Sequence, residues 1–137
     1  MSEASPEDGA PLVRTDFSNE NAWQSLKSAI ADPDADFHAL VRYVSDPVNA
    51  GFDVSQVVAM FPKGSNDIFV FIADAKTMSD PEMPILVVDL FDERGRSFRV
   101  IPSELWSVEN NLSIANMDWE DFSENTDEHG VYRGFPE

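Results

Sequence analysis

The chain has no cysteine, two histidines, and nine basic side chains against 26 acidic ones in 137 residues. Without cysteine there is no disulfide, no thiol nucleophile and no zinc–thiolate site. The net charge of −17 repels phosphate backbones and anionic lipid surfaces. No nucleic-acid partner and no membrane partner is therefore expected. No apolar run reaches the roughly 18 residues of a membrane span. The start, Met1 to Pro11, is acidic and lacks the basic and apolar regions of a signal peptide. It reads as a disordered lead over residues 1–11, ahead of one domain over residues 12–137, and the protein reads as cytoplasmic.

What is present is enough for a core. Apolar residues make up 42% of the chain and aromatic ones 11%. A chain this long buries roughly 70% of its unfolded surface.

Leu12 to Phe17 is a strand candidate. Ser18 or Asn19 can then cap a helix carrying Ala22, Trp23, Leu26, Ala29 and Ile30 on one face, and Pro33 stops it. Leu40 to Val44 is a second strand. Asp53, with Gln56 three residues on, predicts a capping box over a short helix that turns Val57, Val58 and Phe61 inward. Ile68–Ile72 and Ile85–Val88 are continuous apolar runs, suited to strands covered on both faces. Lys76 to Pro84 holds two prolines and reads as mostly loop. Asp92 to Arg96 is a hairpin turn in which Gly95 tolerates positive φ, and Phe98 to Ile101 returns antiparallel. Leu105, Val108, Leu112, Ala115, Trp119 and Phe122 keep a helical period, with a break expected near Asn116 and Asp118 as the second cap. The expected fold is α/β: one compact domain, a mixed, mostly parallel, about five-stranded sheet with covering helices and an antiparallel C-terminal hairpin. The two all-apolar strands should be central, and the three with a mid-strand arginine nearer the edges.

Several stretches carry a resemblance. They are Leu12-Val-Arg-Thr-Asp-Phe-Ser18, Phe71-Ile-Ala-Asp74, Leu86-Val-Val-Asp-Leu90, the run from Pro102 to Phe122, and Gly130-Val-Tyr-Arg-Gly-Phe135. Together they resemble a family of small acidic proteins of actinobacteria and some fungi, classed as a domain of unknown function. The resemblance runs from about Leu12 to Phe135. It implies a single compact cytoplasmic domain and transfers no catalytic residue.

Three aspartates, Asp16, Asp74 and Asp89, lie at strand ends, where open α/β sheets bind ligands. If their strands ran parallel, the carboxylates would converge, and Mg²⁺ or Ca²⁺ would suit such an oxygen-only set. The plainer reading is that aspartate after a strand is a turn former. Asp89 interrupts an apolar strand and needs a partner, with Arg14, Arg42 or Arg99 as candidates. It is either half of a buried ion pair or a perturbed acid or base. The same three arginines, if two shared a face, would hold an anionic small molecule. Glu109 and Asn116, seven apart on one helix, flank Leu112, with Asn110 beside them. They are either helix surface, or a general base with an amide that orients substrate. Trp106 and Trp119, thirteen apart, point about 140° apart on a straight helix, so one of them can leave the core and form a ligand or partner wall. His38 and His129 are isolated, and Asp34-Ala-Asp36 lacks EF-hand spacing.

Two functions remain. The first is a non-catalytic binding or regulatory domain whose acidic C-terminal face, with six acids and no base from Asp118 to Glu128, engages a basic protein. The second is a small-molecule enzyme using acid–base or metal-assisted chemistry at Asp89, Glu109 and Asn116.

Overall fold

The computed structural model describes residues 9–114 and 117–134. Its strands are β1 (Ala10–Arg14), β2 (Val41–Val44), β3 (Phe69–Ala73), β4 (Ile85–Asp89), β5 (Ser97–Val100) and β6 (Val131–Tyr132). Its helices are α1 (Glu20–Ile30), α2 (Val54–Ala59), α3 (Ala75–Ser79), α4 (Leu105–Ser113) and α5 (Trp119–Ser123). The strands form one sheet in the order β2-β1-β3-β4-β5-β6. Pairs β1–β2, β1–β3 and β5–β6 are parallel, and β3–β4 and β4–β5 are antiparallel.

The apolar strands β3 and β4 are central, and the arginine-bearing β1, β2 and β5 flank them. The sheet has six strands rather than five, because Val131 and Tyr132 pair with Arg99 and Val100. The first strand starts inside the expected lead. The Ala10 amide donates to the Leu40 carbonyl at 2.9 Å, and Pro11 is tolerated because the first residues of a strand can spare a donor. Gly9 precedes it with φ +94°, pressed so closely on the Leu40 carbonyl that any Cβ would overlap it.

Side-chain alternation divides the core. Leu12, Phe71, Ile85, Val87, Phe98 and Val100 face one layer, where α1, α3, α4 and α5 pack through Trp23, Leu26, Met78, Leu105, Trp119 and Phe122. Val13, Val70, Ile72, Leu86 and Val88 face the other, covered by α2 through Val57. The β1→β2 and β2→β3 connections run in opposite directions across the sheet. Right-handed crossovers therefore require their helices on opposite faces, and α1 and α2 are on opposite faces.

Local signals set the helix ends. The Asn19 side chain accepts the Ala22 amide, and Asp53 and Gln56 form a reciprocal box. The segment expected as loop after Lys76 contains α3. Its five residues finish before Pro81, and Asp74 caps it with Thr77 as reciprocal partner. Among the described residues no helix is long and apolar enough to cross a membrane.

Candidate functional site

The antiparallel turn from β3 to β4 separates the three aspartates. Asp16 follows β1 and Asp74 follows β3, and these parallel strands end together. Both line one crevice with Thr15, Ser18, Gly51 and Lys76. Asp89 instead ends β4, opposite Phe69 at the start of β3. Four residues of strand, about 13 Å, separate Phe69 from Ala73, so the expected three-carboxylate convergence does not form. Among the described residues no three His, Cys, Asp or Glu side chains gather as metal ligands.

Asp74 is fully engaged. Arg99 donates to both its oxygens, at 3.0 and 2.8 Å, and the Thr77 amide and hydroxyl donate to Oδ1. Burial raises its pKa, but Arg99 and the Thr77 N–H outweigh that and hold it below the usual carboxylate range. Asp89 is 4% exposed. Its partner is none of the strand arginines but Arg96, whose Nε donates at 2.8 Å. The amides of Phe91 and Glu93 donate at 2.9 Å, and that of Asp92 at 3.3 Å. Burial again raises the pKa, and these donors together lower it below the ordinary value. Asp89 therefore organises the β4–β5 hairpin. An aspartate at a strand end can accept the amides of the turn that follows, and a cross-strand arginine cannot do this for it.

The arginines do not gather either. Arg42 and Arg99 share a sheet face, but β2 and β5 are four strands apart, roughly 19 Å. Arg14 is on the opposite face beside Trp23. Each has its own partners. Arg14 reaches Glu20 and the Asp16 carbonyl, Arg42 reaches Asp67 and the Gly9 carbonyl, and Arg99 reaches Asp74 and the Pro84 carbonyl. The expected pair of arginines around an anionic small molecule is absent among the described residues. The other arginines are engaged too. Arg94 donates to the carbonyls of Val58, Phe61 and Leu90, closing the end of α2 against the hairpin. Arg96 bridges Asp89 and Glu120, and Arg133 grips Glu82 and Asp127. These six are all the arginines in the chain.

Glu109 is buried on α4, and its work is local. Oε1 accepts the Leu40 amide at 2.8 Å and Oε2 the Ser113 hydroxyl at 3.2 Å. Its neighbour Asn110 is exposed. Asn116, the expected companion of Glu109, lies outside the described residues.

The two tryptophans stand on separate helices, Trp106 on α4 and Trp119 on α5, so the straight-helix spacing does not set their directions. Trp119 is buried against Phe98, with ring centroids 4.8 Å apart. Trp106 is half-buried and stacks on Phe37, centroids 4.8 Å apart and planes 23° apart. This stack walls a groove of about 660 Å³, within the range of ligand pockets. Ile30, Ala39, Met83 and Ile101 also line it, and Asp32, Asp36 and Glu82 add carboxylates. Phe37 stays 62% exposed. Asp32, Asp34 and Asp36 have no ion-pair partner among the described residues. No periodic signal marks Phe37 in the sequence, because it follows a polar run.

A family model described as a domain of unknown function, DUF6924, matches residues 9–135. The chain belongs to this family. The span matched by DUF6924 encloses all six strands and both groove aromatics, Phe37 and Trp106. It begins at Gly9, the residue pressed on the Leu40 carbonyl. No curated protein matches the chain.

Proposed function

We propose that this is a non-catalytic binding domain whose Phe37–Trp106 groove takes a basic segment of a partner protein through an apolar or aromatic anchor. The exposed Phe37 ring stacked on Trp106 beside unpaired aspartates carries this reading. An exposed aromatic wall with acidic edges complements a bulky apolar side chain flanked by Lys or Arg. The charge distribution points the same way. All six arginines are spent on internal partners, while the aspartates of the 32–36 loop face solvent. The net field of −17 then speeds encounter with basic partners and repels acidic ones.

The experiment is a selection from a random peptide display library against the full chain. Enriched peptides should carry an aromatic or large aliphatic residue with Lys or Arg nearby. Their binding should weaken sharply between low and high salt and fall about tenfold or more in Trp106→Ala. Enrichment of acidic or uncharged peptides, or binding indifferent to Trp106, would overturn the proposal.

A further inference from the structure

The two edges of the sheet are finished differently. At β6 the chain covers its own edge. The Asp127 amide donates to the Val131 carbonyl at 2.9 Å, the Asp127 carboxylate accepts the Val131 amide, and Thr126 bridges Tyr132. At β2 nothing comparable occurs among the described residues. Parallel pairing with β1 decides which groups are left over. Ala10 donates to the Leu40 carbonyl and pairs with Val41, so the Leu40 carbonyl and the amides and carbonyls of Arg42 and Val44 turn toward β1, while the Leu40 amide goes to Glu109. Val41 and Tyr43 turn theirs outward, and no hydrogen bond of the described residues reaches them there.

The side chains along this edge are half-finished too. Leu40 is 52% exposed on one sheet face and Tyr43 39% on the other. Phe37 precedes the strand and Val48 follows it, at 62% and 71%. An open, apolar edge is what soluble proteins ordinarily cover or charge.

We infer that the outer edge of β2 takes an extended segment of the basic partner by strand addition, continuing the chain whose anchor sits in the Phe37–Trp106 groove. This rests on the binding reading given above and adds how the partner is held. The groove residues Phe37 and Ala39 lead directly into β2, so an occupant leaving the groove meets the Val41 and Tyr43 ladder. Added main chain would satisfy the outward amides and carbonyls of both residues and cover Leu40 and Tyr43 with its alternate side chains. Charge selects the occupant. Aspartates 32, 34 and 36 precede the edge and Asp46 and Asp53 follow it, five acids against the one lysine, Lys27, that lies over the Tyr43 ring. A strand carrying Lys or Arg is attracted there, whereas a second copy of a chain of charge −17 is repelled.

The test is amide hydrogen exchange by NMR on the full chain, free and with the strongest peptide from the display selection. The free protein should show fast exchange at Val41 and Tyr43 and protection at Arg42 and Val44. Peptide should slow Val41 and Tyr43 about tenfold or more and leave the other two unchanged. N-methylating alternate peptide residues should abolish binding in one phase and spare it in the other. A peptide that perturbs Trp106 without protecting Val41 and Tyr43 would overturn strand addition and leave the groove reading standing. Failure to select any basic peptide would overturn both. Protection of the same amides in the free protein, growing with its concentration, would make the occupant a second copy and overturn the inference.

Discussion

Arg99 on β5 holds Asp74 at the end of β3 with both terminal nitrogens, at 3.0 and 2.8 Å, reaching past the intervening strand β4. The pair ties the parallel half of the sheet to the antiparallel half. Asp74 also caps α3, so one carboxylate fixes a strand end, a helix start and a cross-sheet ion pair. Replacing Arg99 by Met should lower stability by about 2 kcal/mol, the scale of a charge-assisted hydrogen bond. Asp74→Asn should do nearly as much, because the amide keeps the cap and loses the ion pair. Urea midpoints at neutral pH measure both.

Acid should erode this contribution in a definite direction. The Asp74 and Asp89 carboxyls are both held below their ordinary pKa in the fold. The stability they add is complete above the unfolded value near 3.9. It is lost as pH falls from there through the folded values, because the unfolded chain binds protons first. The stability gap between the natural chain and Asp74→Asn should therefore narrow below about pH 4. A gap that widens on acidification would contradict the assignment.

The hairpin depends on Asp89 accepting three turn amides and Arg96. Asp89→Ala should cost about 3 kcal/mol, as a buried network loses its acceptor. Asp89→Asn should cost less, since one oxygen still accepts amides. Thermal melts of the two variants, compared at matched pH, give the ranking.

Glu109 makes a sharper comparison between structure and chemistry. If it serves by receiving the Leu40 amide, Glu109→Gln keeps an acceptor and should cost under about 1 kcal/mol. Glu109→Leu should speed hydrogen exchange at Leu40 while leaving the distant hairpin amides of Phe91 and Glu93 unchanged. Uniform acceleration across the sheet would contradict that local role.

Much of the architecture is legible because local signals and burial agree. Asn19, Asp53 and Asp118 mark helix starts, the runs 68–72 and 85–88 mark the central strands, and Gly95 adopts φ +101° in the hairpin. The shortest elements are not legible. The two residues of β6 have no period, and α3 is a single short turn just ahead of Pro81 and Pro84, because pairing and packing rather than propensity create them. The site residues are less legible. The outward turn of Trp106 does not follow from its spacing to Trp119, because the helix breaks between them and the two rings stand on separate helices. Which arginine meets which aspartate depends on strand order and direction, and a reversal at β4 carries Asp89 away from Asp16 and Asp74. Arg94 and Arg96 were unreadable as partners because they sit in a turn and reach main-chain carbonyls or several carboxylates at once.

The proposed binding surface is the Phe37–Trp106 groove. Tryptophan is present three times, and Trp23 and Trp119 are buried. Fluorine NMR of the 5-fluorotryptophan-labelled chain therefore separates the groove from the core. Titration with a selected basic peptide should move the Trp106 resonance and leave the Trp23 and Trp119 resonances in place. Phe37→Ala should abolish the shift with little loss of stability, since that ring is mostly exposed. A peptide that binds while the Trp106 resonance stays fixed would contradict the account.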